Sequence, residues 1–473
     1  MQVRSALEPA MRRLLLLPLL ALLALPLRAS TPAGDAAPPA AATAVPAPPA
    51  WLGAMDARYD ARIRVAGLED RRFAPEHWWD VAMPLLSARR GFHVETLGDS
   101  VEGRPLRHVH WGDGPVPVLL WSQMHGDEST ATMALADLFR FLGEHPRDPL
   151  VRRLRAGTRL HVVPILNPDG AARFQRRNAQ GIDINRDARA LVTPEARALH
   201  DLRERIRPQF GFNLHDQQVG YRAGDSARGT AIALLAPAFN EAREVDAARG
   251  RAIEVSVAIR AVLEPYIAGH IAKWDDTYNP RAFGDLTAGA GVATVLIESG
   301  GIEGDLHKQR LRKLNFLALL AALDAIATGA HRGLPHAAYD ALPENGEVWP
   351  DLRIAGAKLV LPGQAPVAVD VDVAFREPLL ERGGRIHAIG DLGGIGVRRR
   401  IEAGGLYLIP MATPVPASDS SDCACDEGSA TTSTTFAIGR PARFHLSRDP
   451  QGRDIVWTLA GDVDPARPSP PGH

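Results

Sequence analysis

The sequence predicts an α/β fold followed by a smaller β-rich C-terminal module. Three observations carry that expectation. Between Val94 and Ala327, apolar runs of strand length alternate with segments of helical spacing, the pattern of a sheet covered by helices. After Gly333 the character changes, and from Val348 onward short alternating segments broken by frequent Gly and Pro read as strands. Chemically capable residues fall where apolar runs end, and open α/β sheets build their sites there.

The elements follow in order. Arg4, Arg12 and Arg13 precede an apolar run from Leu14 to Leu27, too short for a membrane span of about 20 residues. With the small residues Ala29 and Ser30 after it, residues 1–30 read as a secretory signal, so the protein is expected to be secreted or periplasmic, with no membrane span after cleavage. Residues 31–50 are almost wholly Ala, Pro and Thr, which cannot bury a core and form a linker. Residues 51–332 are expected to form the α/β domain, residues 333–464 the β-rich module and residues 465–473 a disordered tail. Within the first of these, residues 51–87 read as a lead-in with helical stretches. Val94 to Trp111 reads as a hairpin around Gly103-Arg104-Pro105. Strands are expected at Pro117–Trp121, Thr158–Ile165, Gln209–Leu214 and Val292–Ile297. Helices are expected at Ser129–Leu142, Pro194–Ile206, Glu241–Leu263 and Lys308–Ala327.

His125-Gly126-Asp127-Glu128 comes just after the apolar run ending at Trp121. A His and a Glu three apart on one loop can both reach a single divalent ion. His215, in Phe212-Asn213-Leu214-His215-Asp216, ends another strand-like run and can supply a third ligand. Two His and one Glu leave a fourth position open for water, as catalytic zinc sites do. Asp183-Ile184-Asn185-Arg186 and Leu296-Ile297-Glu298-Ser299 lie at similar boundaries between apolar runs and polar turns.

This ordered set, with Asn167-Pro168-Asp169-Gly170 and Arg176-Arg177-Asn178, resembles the zinc carboxypeptidases of the carboxypeptidase A/B family, in its bacterial branch, over roughly residues 88–330. The resemblance implies a mixed, mostly eight-stranded sheet flanked by helices. It implies one zinc held by His125, Glu128 and His215, with Asp183 orienting the first His. Glu298 would be the general base for water attack and Arg176 the oxyanion-stabilising cation. Asn185 and Arg186 would hold the substrate's terminal carboxylate, since the planar guanidinium fork accepts a carboxylate bidentately. Tyr278 would close over the substrate, and Asp285 or Phe283 would sit at the base of its side-chain pocket. The implied activity is hydrolysis of C-terminal peptide bonds in a peptide or peptide-like substrate with a free carboxylate.

The same constellation also fits a zinc amidase or acylase acting on peptidoglycan peptides or N-acyl amino acids. A non-catalytic peptide- or glycan-binding protein would lack a ligand or the base, and none is lacking. Segments around Leu352, Ile386 and Leu406 look like the small β-sandwich of amidohydrolases, a likeness that implies packing rather than chemistry. A formal net charge of −1 gives no electrostatic case for nucleic acid as a partner. The two cysteines, Cys423 and Cys425, are too few for a disulfide framework and lie in a Ser/Thr/Asp-rich loop. The oligomeric state is not legible.

Overall fold

The computed structural model describes residues 44–87, 90–411 and 436–460, with the backbone of 413–414 and 432–433. The expected signal (1–30), most of the linker (31–43), both cysteines and the tail (465–473) lie outside the described residues.

The lead-in consists of α1 (Leu52–Arg58), which runs into a π-helical turn at Tyr59–Ile63, and α2 (Pro75–Ala82). It is locked to the core through a fully buried charge pair. Arg312 and Asp137 lie 2.6 Å apart, and Tyr59 donates to the same carboxylate at 2.6 Å. Then come the hairpin β1 (Phe92–Asp99) and β2 (Pro105–Trp111), β3 (Val116–Ser122), α3 (Thr130–Glu144), α4 (Pro149–Gly157), β4 (Thr158–Val163) and α5 (Pro168–Ala172). After these follow α6 (Pro194–Ile206), β5 (Phe210–Asp216), β6 (Ile232–Leu235), α7 (Ala247–Ile267), β7 (Ile271–Lys273), α8 (Phe283–Gly289), β8 (Ala293–Ser299), α9 (Gln309–Thr328) and α10 (His336–Asp340).

The eight strands form one mixed sheet in the order β1-β2-β4-β3-β5-β8-β6-β7. Its middle, β4-β3-β5-β8, is parallel, and the outer pairings β1-β2, β2-β4 and β8-β6 are antiparallel. Strands covered on both faces read as continuous apolar runs rather than alternations. β3 shows why: Val118 and Leu120 enter the core beneath α3, α7 and α9, whereas Leu119 and Trp121 enter the opposite core beneath α6 and α8. The helix expected from Glu241 starts later, at Ala247. The Asp246 side chain accepts from the Arg249 amide and caps it there.

The second sheet is built from β9 (Leu352–Leu359), β10 (Val367–Ala374), β11 (Arg385–Gly390), β12 (Arg399–Glu402) and β13 (Tyr407–Pro410); β14 (Thr413–Pro414) and β15 (Thr432–Ser433) form a separate pair; β16 (Phe444–Ser447) and β17 (Ile455–Leu459) complete it. Its seven strands run β11-β10-β9-β13-β16-β17, with β12 joined to β9. They hold an apolar core of their own around Leu352, Ile354, Val371, Val373, Phe444 and Leu446. The change of character after Gly333 does not coincide with this core. Ala338, Tyr339 and Leu342 still pack into the larger one, and the Tyr339 hydroxyl accepts from the Ala236 amide at 3.1 Å. The β-rich core begins only at Leu352. No helix among the described residues is long and apolar enough to cross a membrane.

Candidate metal centre and its cleft

The site collects at the carboxyl ends of the four parallel strands. After β3 the chain turns through Gln123, whose φ of 48° is left-handed, and lays His125 and Glu128 across the sheet edge. His215 is the penultimate residue of β5 and Glu298 that of β8, and the two are direct partners in the β5–β8 register. Both sit inside strands rather than just after them. The segment between α5 and α6 supplies the rest: Arg176 and Asp183, with Asn185 and Arg186 in a 3-10 turn, Ile184–Arg186.

A close backbone approach fixes the first loop. A Cβ on Gly126 would lie 2.0 Å from the Gly170 carbonyl carbon, so only glycine fits there. Asn167 ties the two loops together. Its amide donates to the carbonyls of Met124 (3.2 Å) and Arg176 (3.3 Å), and its oxygen accepts from Gly170 N–H.

His125, Glu128 and His215 are buried, and each offers a ligand atom within 4.8 Å of the others. His125 Nδ1 and His215 Nδ1 each lie 2.7 Å from a different Glu128 oxygen. His125 Nε2 lies 3.0 Å from Asp183 Oδ1, and Arg176 donates to the other oxygen of that carboxylate at 2.9 and 3.1 Å. Arg176 Nη1 is also 3.1 Å from His125 Nδ1. The donor set fits zinc: two imidazoles and a carboxylate converge, with an acid on the far nitrogen of one ring. Buried side-chain atoms without a partner surround it, among them His215 Nε2, Glu298 Oε2 and Asp216 Oδ1.

Charge is concentrated here. Burial, and after it the Glu128 charge, hold the Glu298 carboxyl well above the usual range. For Glu128 burial works the other way from His125 and His215, whose charges prevail and keep it low. Burial opposes protonation of His125, but Glu128 and Asp183 more than offset it and raise its pKa to about 9. A divalent ion would take the place of the proton that His125 otherwise holds.

These groups line a cleft of about 1380 Å³ that also includes Arg176, Asn185, Arg186, Tyr278 and Asp285. Asn185 is buried and accepts from Phe283 N–H at 2.9 Å. Arg186 and Tyr278 are half-buried, so the Arg186 guanidinium is less enclosed than a carboxylate clamp read from sequence suggests. Phe283 packs in the core, and it is Asp285 that faces the cleft, its pKa raised to about 6 by burial.

Sequence reading missed two contributions. Lys308 is buried in the cleft, its ammonium donating to Asp216 Oδ2 (2.8 Å) and the Ser299 carbonyl (3.0 Å). In the sequence it marks only a helix start. The other is a wall from the second sheet, including Phe375, Arg376, Leu379 and Leu380. No local pattern announces contacts between distant segments.

Residues 87–220 match the zinc carboxypeptidase family. It is similar to an uncharacterized protein of Zymomonas mobilis, with 27% identity over 174 residues, 35% of this chain and 45% of that protein. It is also similar to carboxypeptidase SOL1 of Arabidopsis thaliana, with 33% identity over 99 residues, 20% of each chain. A metallo-carboxypeptidase structure from Burkholderia cenocepacia shares 20% identity at a TM-score of 0.43, over 55% of this chain and 71% of that one. The chain spans less than half the length of these two curated relatives.

Proposed function

We propose that the protein is a zinc-dependent metallocarboxypeptidase, secreted or periplasmic, that releases C-terminal residues from peptides. The observation that carries this reading is the buried His125–Glu128–His215 cluster with Glu298 directly across the strand pair from His215. Bound zinc would supply Lewis acidity, polarising the scissile carbonyl and lowering the pKa of water. Glu298, buried with one oxygen unpartnered, would be kept ionised by the charge of a bound divalent ion and then takes a proton from the attacking water and passes it to the leaving amine. Arg176 puts a fixed positive charge beside the developing oxyanion, held in place by Asp183. Asp183 also holds the His125 ring in orientation. Asn185 and Arg186 grip the terminal carboxylate, Tyr278 closes over the substrate, and Asp285 favours a basic C-terminal side chain.

The test compares matched peptides with free and amidated C-termini. Losing a hydrogen-bonded charge pair costs about 2–5 kcal/mol, or roughly 30-fold or more in kcat/KM. Arg186→Ala should show that loss on free peptides and little more on amidated ones. Equal cleavage of both forms by the wild type would remove the carboxylate clamp and the carboxypeptidase reading with it. Hydrolysis of N-acyl amino acids alone, with longer peptides left intact, would make the enzyme an acylase.

A further inference from the structure

The cleft is walled by both sheets. The β10–β11 connection contributes Phe375, Arg376, Leu379 and Leu380, and β11 contributes His387. This connection is a closed loop: Glu377 N–H donates to the Arg382 carbonyl (3.1 Å) and Arg382 N–H to that of Glu377 (3.2 Å). Pro378 to Glu381 therefore form its tip. An ion pair anchors the loop across the cleft, Arg72 Nη1 donating to Glu377 Oε1 at 2.6 Å. The Arg72 and Arg71 guanidinium carbons lie 4.7 and 5.0 Å from the Phe174 ring, and Arg71 also donates to the Asp127 carbonyl beside the metal ligands. Leu379 and Leu380 are half-buried and belong to none of the apolar cores, so packing of the fold does not account for them.

The lining falls into two contact groups. Asn185, Arg186 and Asp285 are joined through Phe283 N–H, Arg281 and Asn279 N–H. Phe174, Arg72 and the loop are joined through the contacts just given. If the first group receives the carboxylate end of a substrate, as the proposed function has it, the acyl part before the scissile bond extends toward the second.

We propose that the 375–380 loop of the C-terminal sheet, with Phe174, forms the subsite for the acyl part of the substrate and selects a bulky apolar group there. The inference rests on the carboxypeptidase reading for its direction along the cleft. Tethering by Arg72 holds the loop in place before substrate arrives, so little is lost to ordering it. An apolar group then gains by leaving water against Leu379, Leu380 and Phe174.

The experiment uses N-acyl amino acids with one common leaving amino acid and an acetyl, isovaleryl or benzoyl group. In the wild type, kcat/KM should rise with acyl size. In a Leu379→Ser/Leu380→Ser variant the benzoyl-to-acetyl ratio should fall about 10-fold, the scale of losing partial burial of such groups. Glu377→Ala, which frees the tether without touching the tip, should lower the same ratio. Calorimetric binding of the same compounds to zinc-loaded Glu298→Gln protein, with and without the loop changes, reads the ratio without turnover. An unmoved ratio in the loop variants overturns the subsite. If the wild type hydrolyses none of the compounds or peptides while the binding ratio still shifts, the hydrolytic reading falls and the subsite stands.

Discussion

Arg353 and Asp372 in the seven-stranded sheet are as deeply buried as His215 and Glu298 in the eight-stranded one, but their circumstances differ. Arg353 Nε and Nη2 each donate to an Asp372 oxygen at 2.7 Å, and Nη1 donates to the Ile395 carbonyl at 2.9 Å. His215 Nε2 and Glu298 Oε2 have no such partner, and Asn213 and Gln217 beside them leave further polar atoms unmatched. Among the described residues from Leu352 onward, the buried unpartnered side-chain atom is Arg443 Nε. Burying polar groups without partners costs about 1–3 kcal/mol each. Such groups persist where a ligand completes them. The second sheet pairs its buried charge, and the strand ends of the first leave buried polar atoms unmatched.

The comparison breaks most visibly at the base. Glu298→Gln should lower turnover by about 10²–10⁴ while the protein keeps its fold and close to one zinc per chain. His215→Ala should lose that zinc, read by metal analysis of the purified protein. Wild-type rates in Glu298→Gln would move the base elsewhere, with Asp216 the next carboxylate to test.

The opposite pattern is expected in the second sheet. Arg353→Met leaves Asp372 buried and unpaired and should destabilise the protein by about 3–5 kcal/mol in denaturant unfolding. Replacing Asp372 by Leu as well should restore most of it. Turnover per folded molecule should stay unchanged, and a drop there would mean that this pair also serves the cleft.

Gly126→Ala tests whether packing between loops positions the candidate metal ligands. Overpacking of this kind costs about 1–3 kcal/mol. The added methyl must push the His125 loop off the Gly170 turn, so zinc should dissociate faster than from wild type. Unchanged zinc retention would show that the loops yield without cost.

The smallest effect concerns histidines away from the cleft. His93, His110 and His161 form a row across β1, β2 and β4, and His161 Nδ1 is 3.0 Å from His108 Nε2. Burial, then the neighbouring His108 and His110 and the charges of Arg159 and Arg205, depress the His161 pKa to about 3; Glu95 faces the cluster through His108. Unfolded, the same ring titrates near 6.5. Between those values the unfolded chain binds the extra proton, so stability falls as pH drops from about 6.5 toward 3. His161→Gln should flatten unfolding free energy against pH over that interval. Parallel curves for the two proteins would show that the row does not govern acid stability.

Much of the first sheet was legible because each signal is local. Both faces of β3, β5 and β8 are covered, so their apolar runs stand out. The helix from Pro194 to Ile206 follows its expected limits because Thr193 accepts from the Ala196 amide and Pro194 takes the first turn. The His125–Glu128 spacing and the strand-end positions of His215 and Glu298 can likewise be read directly from the chain. The start of α7 was harder, because Glu241 and Glu244 continue a helix-compatible pattern that the Asp246 cap overrides.

The sequence by itself therefore determined which residues are candidates for chemistry and which strands present them, since spacing along one strand or loop dictates what that segment can present. Only the tertiary structure decided that His215 faces Glu298 across a strand pair, that Gly126 must admit the Gly170 backbone, and that Lys308 is drawn into the cleft against Asp216. It alone brought Leu379 and Leu380 to a cleft whose candidate metal ligands lie more than a hundred residues away in the chain. Those relations depend on register and close packing between distant segments, and no local pattern encodes them.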